Sequence, residues 1–99
     1  MVIEYIRYTV PADRADEFEQ AYKTASSVLD GDPHCLAYEI ARGVEEPEHY
    51  TARIEWDSVE GHEQGFRRSR RFGEFFAAVK PFFSGIDEMK HYDVRFGSR

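Results

Sequence analysis

The chain has 99 residues, which fits one small domain spanning residues 1–99 with a modest core of its own. Thirteen Lys and Arg residues stand against nineteen Asp and Glu residues, and the net charge of −6 argues against nucleic acid or an anionic membrane as a partner. Eight Phe, six Tyr and one Trp supply more bulky apolar surface than two thin layers need, so we expect a large dimer interface, a lined pocket, or both.

The sequence also bears on the cellular compartment. No apolar run approaches the length of a membrane span, and residues 1–4 lead directly into a strand pattern and not into a signal peptide. A single cysteine, Cys35, forbids an internal disulfide. These features predict a cytoplasmic protein that does not associate with membranes.

The first half of the chain predicts a strand, a helix and a hairpin. Residues 2–10 are β-branched and aromatic, as in a strand, and Pro11 ends it. Asp13 is the expected N-cap of a helix that runs to about Leu29. The apolar positions of this helix recur every three to four residues. They are Ala15, Phe18, Ala21, Tyr22, Ala25, Val28 and Leu29.

Two alternating strands follow the break at Asp30–Pro33. The strand at 34–42 is predicted to place Leu36, Tyr38 and Ile40 on one face. Residues 43–48 form the expected hairpin connection. The strand at 50–56 is predicted to place Tyr50, Ala52, Ile54 and Trp56 on one face.

The last third of the chain predicts a broken helix and a final strand. Residues 57–60 have the spacing of a capping box, with Asp57 in the capping position, before a short helix that carries Val59, His62 and Phe66 on one side. Ser69 is the expected cap of a second piece, and Pro81 limits its end. The final strand is expected over residues 87–96, with Tyr92, Val94 and Phe96 on its apolar face.

The predicted order is β-α-β-β-α-β, an α+β fold of the ferredoxin-like kind. It consists of a four-stranded antiparallel sheet with the helices on one face. Both faces of the first three strands carry apolar groups, so the sheet needs a cover on its far side. Packing of two sheets around a symmetry axis is the simplest cover, and the sequence therefore predicts a homodimer.

Three segments of the chain resemble a known family. They are Trp56-Asp57-Ser58-Val59-Glu60-Gly61-His62, then Ser69-Arg70-Arg71-Phe72 with Phe75-Phe76, and Pro33-His34-Cys35-Leu36-Ala37-Tyr38-Glu39. In these segments the chain is similar to antibiotic-biosynthesis monooxygenases of the dimeric α/β-barrel superfamily, which include quinol monooxygenases and polyketide-tailoring oxygenases. The resemblance implies a dimer with a pocket between sheet and helices, beneath the tryptophan and the broken helix.

The resemblance also implies an activity, cofactor-independent oxygenation of a small quinol, phenolic or polyketide-like aromatic molecule. Trp56 and His62 are then the catalytic candidates. The imidazole of His62, with a pKa near neutrality, would remove a phenolic proton from the substrate, and Trp56 would hold the aromatic ring of the substrate. The candidate substrate-binding residues are Tyr8, Tyr38, Tyr50, Phe66, Phe72 and Phe76.

Three positions depart from the pattern of the relatives. Gly65 stands where many have a second histidine, Ala52 where polyketide oxygenases have an asparagine, and Phe66 where haem degraders have their iron ligand. The group that would stabilise a peroxide is therefore unassigned. The chain also has no glycine-rich phosphate loop and no histidine or cysteine spacing of a metal site, so we expect neither a cofactor nor a metal.

Alternatives remain open for the candidate residues and for the function. His62 can be a packed, hydrogen-bonded core residue, and Arg53 and Glu55 are expected to form ion pairs across the dimer. The basic run 67–71 is either a solvated helix junction or an attractor for an anionic substrate. Besides a monooxygenase, the sequence is compatible with a non-catalytic dimer that binds a small aromatic ligand, and less well with a haem-binding or haem-degrading protein.

Overall fold

The computed structural model describes residues 1–97 and confirms the predicted order of elements. The strands β1 to β4 are Val2–Thr9, Cys35–Arg42, His49–Trp56 and Ile86–Asp93, and the helices α1 and α2 are Ala15–Asp30 and Arg70–Val79. The sheet order is β2-β3-β1-β4, and every neighbouring pair is antiparallel. This is the ferredoxin-like arrangement. Among residues 1–97, no helix is long and apolar enough to cross a membrane.

The core lies between the sheet and the two helices. On β3 the predicted alternation is confirmed, since Tyr50, Ala52, Ile54 and Trp56 are each 2% exposed or less. The stripe predicted for α1 packs against them. Its buried members are Ala15, Phe18, Tyr22, Ala25 and Leu29. Removal of so many aromatic and branched side chains from water is the main force that holds the two layers together, at roughly 1.5–3 kcal/mol for each large side chain.

The helix α1 begins one residue later than it would if Asp13 were its N-cap. Asp13 lies inside a short 3₁₀ turn, Ala12–Arg14, and Arg14 occupies the capping position without a side-chain hydrogen bond. The N–H of Arg14 donates to the carbonyl of Pro11 at 2.9 Å, which closes this turn before the helix starts. The prediction that Asp13 caps α1 is therefore wrong, because the backbone turn after Pro11 takes the place of a side-chain cap.

The second helix is broken, as predicted, but its cap differs. Ser58, not Asp57, caps the first piece: its Oγ accepts the N–H of Gly61 at 2.9 Å. Asp57 instead accepts a hydrogen bond from His34 Nδ1 at 2.8 Å. The first piece is a π-helical segment, Gly61–Phe66, an uncommon geometry that is often found at functional sites.

The second piece, α2, begins after Ser69 as predicted. The Ser69 hydroxyl makes no capping bond, however, and donates to the Phe66 carbonyl at 2.7 Å. The helix ends at Val79, and a 3₁₀ turn that contains Pro81, Lys80–Gly85, leads into β4. This agrees with the expected effect of the proline, which cannot continue the hydrogen-bond ladder.

A bulge changes the faces of β2. Cys35 pairs with Trp56 and Ala37 pairs with Glu55, so Leu36 is an extra residue in the ladder. Leu36 is 56% exposed, whereas Cys35 packs against the core. The predicted shared face of Leu36, Tyr38 and Ile40 is wrong at Leu36, because the side chains before a bulge are out of step with those after it.

The last strand is shorter than predicted. It ends at Asp93, and Val94 and Phe96 lie beyond it with 41% and 94% of their surface exposed. Tyr92 packs edge-on against Tyr5 on the face of the sheet away from the helices, with ring centres 5.3 Å apart. The helix-facing side of β4 instead carries Ile86, Met89 and His91, as the pairing with β1 shows.

Candidate functional site

A cavity of about 240 Å³ lies between the sheet and the broken second helix, where the resemblance predicts a pocket. We call it the Trp56 cavity. Its lining consists of Glu4, Ile6, Tyr8, Ile54, Trp56, His62, Phe66, Arg67, Phe72, Phe75, Phe76, Phe83, Ile86 and Met89. Arg67, Phe83 and Met89 are the exposed members, and they mark its mouth. Besides the phenol of Tyr8, the buried ionisable side chains of this largely apolar lining are Glu4 and His62.

Trp56 forms the inner wall of the cavity and is fully buried. Its indole Nε1–H donates to Glu4 Oε1 at 3.1 Å, so the buried N–H has the partner that it needs. The ring of His62 stacks on the indole, with ring centres 4.4 Å apart and planes 15° from parallel. One face of Trp56 is thus covered by His62 and not open to a ligand.

Glu4 is a candidate site residue that the sequence did not predict. It lies in the middle of β1 on the helix-facing side, and only 3% of its surface is exposed. Burial raises the pKa of Glu4 to about 7, against the opposing effects of the Trp56 hydrogen bond and the charge of Arg67. A signal was present, because Val2, Glu4, Ile6 and Tyr8 alternate along one face of β1 and only Glu4 among them is charged.

His62 connects Glu4 to a second histidine. Its Nε2 lies 3.6 Å from Glu4 Oε1, and its Nδ1 lies 2.7 Å from His91 Nε2 in a hydrogen bond. Burial, aided by the neighbouring His91 and Arg67, lowers the pKa of His62 to about 3. The imidazole is therefore neutral at ordinary pH, and its pKa is far from the near-neutral value expected for a base.

Tyr8 contributes a buried hydroxyl to the lining, and this hydroxyl is hydrogen-bonded to a residue of α1. The oxygens of Tyr8 and Tyr22 are 2.5 Å apart in a buried hydrogen bond. Burial raises the pKa of Tyr8 to about 12 and also raises that of Tyr22. Tyr8 therefore lines the cavity as a neutral ring whose hydroxyl already has a partner.

The predicted site residues divide between two cavities. Six of the eight line the Trp56 cavity: Trp56, His62, Tyr8, Phe66, Phe72 and Phe76. Tyr38 and Tyr50 line a different, more open cleft of about 460 Å³ between α1 and β2. Their hydroxyls donate to Asp30 at 2.8 Å and to Glu19 at 2.5 Å. These two tyrosines therefore do not share a site with His62.

Several charged residues lie away from both cavities. Arg53 and Glu55 pair with each other at 2.6 Å within one chain. In the β2–β3 hairpin, Glu46, Glu48 and His49 bring potential metal-ligand atoms within 4.8 Å of one another, a grouping that spacing alone did not predict. His49 Nε2 lies 3.5 Å from Glu46 Oε2 and 3.9 Å from Glu48 Oε1, so the three side chains contact one another.

Comparison with known proteins identifies the class. A family model for antibiotic biosynthesis monooxygenases matches residues 1–78. The chain belongs to the antibiotic biosynthesis monooxygenase family. It is 26% identical over 92 residues to YczJ of Bacillus subtilis (strain 168), an uncharacterized protein, and the match covers 93% of this chain and 97% of YczJ.

Solved structures show the same fold. SnoaB from Streptomyces nogalater, described as a cofactor-independent oxygenase, superposes with a TM-score of 0.80 at 15% identity, covering 97% of this chain and 94% of that one. A conserved protein from Methanosarcina mazei Go1 superposes with a TM-score of 0.76 at 22% identity, covering 92% and 89%. At these identities the likeness establishes the fold.

Proposed function

We propose that this protein is a cofactor-independent monooxygenase whose substrate is a small hydroxylated aromatic molecule held in the Trp56 cavity. The observation that carries the proposal is an apolar cavity whose buried ionisable groups, Glu4 and His62, lie side by side. Apolar walls suit a flat ring, and a buried pair with shifted pKa values suits proton transfer.

The size of the cavity narrows the substrate class. An apolar cavity of about 150 Å³ is enough to bind benzene, and pockets for drug-sized ligands begin near 300 Å³. At about 240 Å³, the Trp56 cavity therefore suits one ring or two fused rings. This favours a hydroquinone or naphthohydroquinone over a polyketide of several rings.

The chemistry requires no electron carrier because the substrate supplies the electrons. Loss of a phenolic proton gives an electron-rich anion that reacts with O₂. One oxygen atom enters the ring and the other leaves as water, so a hydroquinone and O₂ give a hydroxyquinone and H₂O. The chain's part is to bind the ring, exclude water and move the proton.

A second candidate is a protein that binds an aromatic ligand without chemistry. Within residues 1–97, every fully buried side-chain nitrogen and oxygen has a hydrogen-bond partner. The Glu4, Trp56 and His62 network is thus complete in itself and can simply stabilise the fold. Haem binding through His62 gains no support, because its two ring nitrogens face Glu4 and His91.

Oxygen consumption tests the proposal. A panel of one-ring and two-ring hydroquinones is offered to the wild type in an oxygen electrode, and labelled O₂ is traced into the product by mass spectrometry. Phe76→Trp, which fills the cavity, should lower the rate about tenfold or more. The matched control Tyr38→Phe alters only the α1–β2 cleft and should leave the rate unchanged. If no hydroquinone is consumed while aromatic ligands still quench the fluorescence of Trp56, the protein is a binding module.

We also propose that two copies pair through the face of the sheet that lies away from the helices. This face carries the Tyr5–Tyr92 ring pair, and Tyr92 is 45% exposed. The Arg53–Glu55 ion pair lies on the same face, on the neighbouring central strand β3, where Arg53 is directly opposite Tyr5. Burial of such aromatic groups is the usual source of binding energy in a small homodimer.

A further inference from the structure

The Trp56 cavity contains two groups that can exchange protons, and the structure distinguishes their roles. A base that removes a phenolic proton must be ionised or unprotonated near neutral pH and must still hold the proton once it is taken. His62, with its low pKa, holds a proton poorly. Glu4 lies in the same lining and is better matched to the task.

We propose that Glu4 is the acid–base residue of the reaction, and that His62 is a neutral N–H donor that stabilises the negative oxygen of the intermediate. The assignment rests on the proposed monooxygenase function and gives roles within it. It reverses the role that the sequence predicts for His62, and it fills the vacant position of the peroxide-stabilising group.

The hydrogen bonds around Glu4 fit the role of a buried carboxylate. Trp56 Nε1–H donates to Oε1 at 3.1 Å, and His62 Nε2 lies 3.6 Å from the same oxygen, beyond hydrogen-bond distance. The indole N–H therefore stabilises the ionised form. Desolvation favours the protonated form, and the balance leaves the pKa close to 7, where a carboxyl both takes and returns a proton.

His91 explains the role of His62. If His91 Nε2–H donates to His62 Nδ1, then the single proton of the neutral His62 ring lies on Nε2, 3.6 Å from Glu4 Oε1, in a ring that lines the cavity. His91 is the direct neighbour of Glu4 across the β1–β4 ladder, so the sheet fixes this arrangement. His91 is not among the residues that line the Trp56 cavity and is a positioning residue.

The proton balance of the reaction closes on Glu4 alone. The carboxylate takes the phenolic proton, and the substrate anion gives electrons to O₂ to form a carbon–oxygen bond and a peroxide anion. The His62 N–H donates to this anion while the Glu4 carboxyl returns the proton to it. Loss of water from the hydroperoxide then leaves the oxidised ring, and no net proton enters or leaves the cavity.

Charged and titratable groups on every neighbouring element bear on the pH dependence of Glu4. They are Tyr8 on β1, the indole N–H of Trp56 on β3, His62, Glu63 and Arg67 on and after the π-helical segment, and His91 on β4. Tyr8 stays neutral because its pKa is about 12. Glu63 raises and Arg67 lowers the pKa of Glu4, so their charges oppose each other.

The test combines turnover with a spectroscopic measurement. With the best hydroquinone of the panel, the wild-type rate should rise with pH through a midpoint near 7, and Glu4→Gln should lower it by about 100-fold or more. His62→Gln, which keeps an N–H donor, should lose less than His62→Leu. The exposed Glu74 on α2 and His49 in the hairpin supply the controls Glu74→Gln and His49→Gln, which should match the wild type.

Infrared spectroscopy reads Glu4 directly and needs no turnover. The wild type should show a protonated carboxyl band that disappears with a midpoint near pH 7, is absent in Glu4→Gln and persists in Glu74→Gln. Turnover by Glu4→Gln at the wild-type rate, or a wild type without this band, overturns the assignment and leaves the monooxygenase function intact. A wild type that consumes no hydroquinone overturns the function itself and the role of Glu4 with it.

Discussion

Replacement of Glu4 by Gln should change how stability depends on pH. In the folded protein Glu4 has a pKa of about 7, whereas the ordinary value is 4.5. Between these two values the folded state holds a proton that the unfolded chain has lost, so the free energy of unfolding of the wild type falls as the pH rises. At about 1.4 kcal/mol per tenfold difference in acidity, the full effect is about 3 kcal/mol. Because Gln does not ionise, the Glu4→Gln variant should not lose this part of its free energy of unfolding as the pH rises.

Urea unfolding followed by the fluorescence of the single Trp56 measures this effect. From about pH 5 to about pH 8, the stability of Glu4→Gln should gain about 2–3 kcal/mol on that of the wild type, whatever constant cost the buried amide adds. Because the pKa of His62 is lowered from its ordinary value of 6.5 to about 3, the free energy of unfolding also falls as the pH drops below 6.5. Wild type and Glu4→Gln both contain His62, so this effect is common to both. Glu74→Gln should follow the wild type. An equal gap between Glu4→Gln and wild type at both pH values would refute the raised pKa and the electrostatic account of the site.

Three further predictions concern packing and assembly. Gly85→Ala should lower the free energy of unfolding in urea by about 1–3 kcal/mol, because a Cβ at position 85 would meet the backbone carbonyl of Thr9 on β1. Gly73→Ala is the control: a Cβ in the middle of α2 meets nothing within 4 Å, and the change should raise the free energy of unfolding by up to about 1 kcal/mol. Tyr8→Phe should cost about 1–3 kcal/mol because it leaves the buried Tyr22 hydroxyl unpaired, and the double variant with Tyr22→Phe should cost less than the sum of the two single changes. If two copies pair as proposed, the wild type should be a dimer in light scattering and Tyr92→Glu should shift it towards monomer; a wild type that is monomeric at micromolar concentration would contradict the proposed pairing.

Periodicity predicts the parts of this fold whose geometry is regular. The α1 stripe from Ala15 to Leu29 and the alternation from Tyr50 to Trp56 are read directly from the spacing of apolar residues, since each element has one buried face. The bulge at Leu36 follows from the pairing of β2 with β3, a contact between distant residues. The spacing of apolar residues within β2 alone therefore cannot predict the bulge.

The site divides in the same way. Resemblance predicts Trp56 and His62 because both lie on one continuous segment, and the aromatic walls follow from the α2 stripe. Glu4 and His91 come from the two ends of the chain and meet His62 only through the β1–β4 ladder. No short motif can contain such a group. The sequence indicates Glu4 only as a charged residue among the apolar residues of one face of β1. This indication can be used only once it is known which face of β1 lies against the helices.

The surroundings of Gly65 and Ala52 explain why neither position supplies a polar group to the cavity. A Cβ at Gly65 would lie 2.6 Å from Cδ2 of His34, whose ring Asp57 holds in place, so a second histidine has no room there. Ala52 is fully buried beneath the helices and offers the cavity no polar atom. The acidic group beside Trp56 is the carboxyl of Glu4, and it accepts a hydrogen bond from the indole. An oxygenase built in this way would depend on β1 for its proton chemistry, and a histidine variant at position 65 should not replace a lost Glu4.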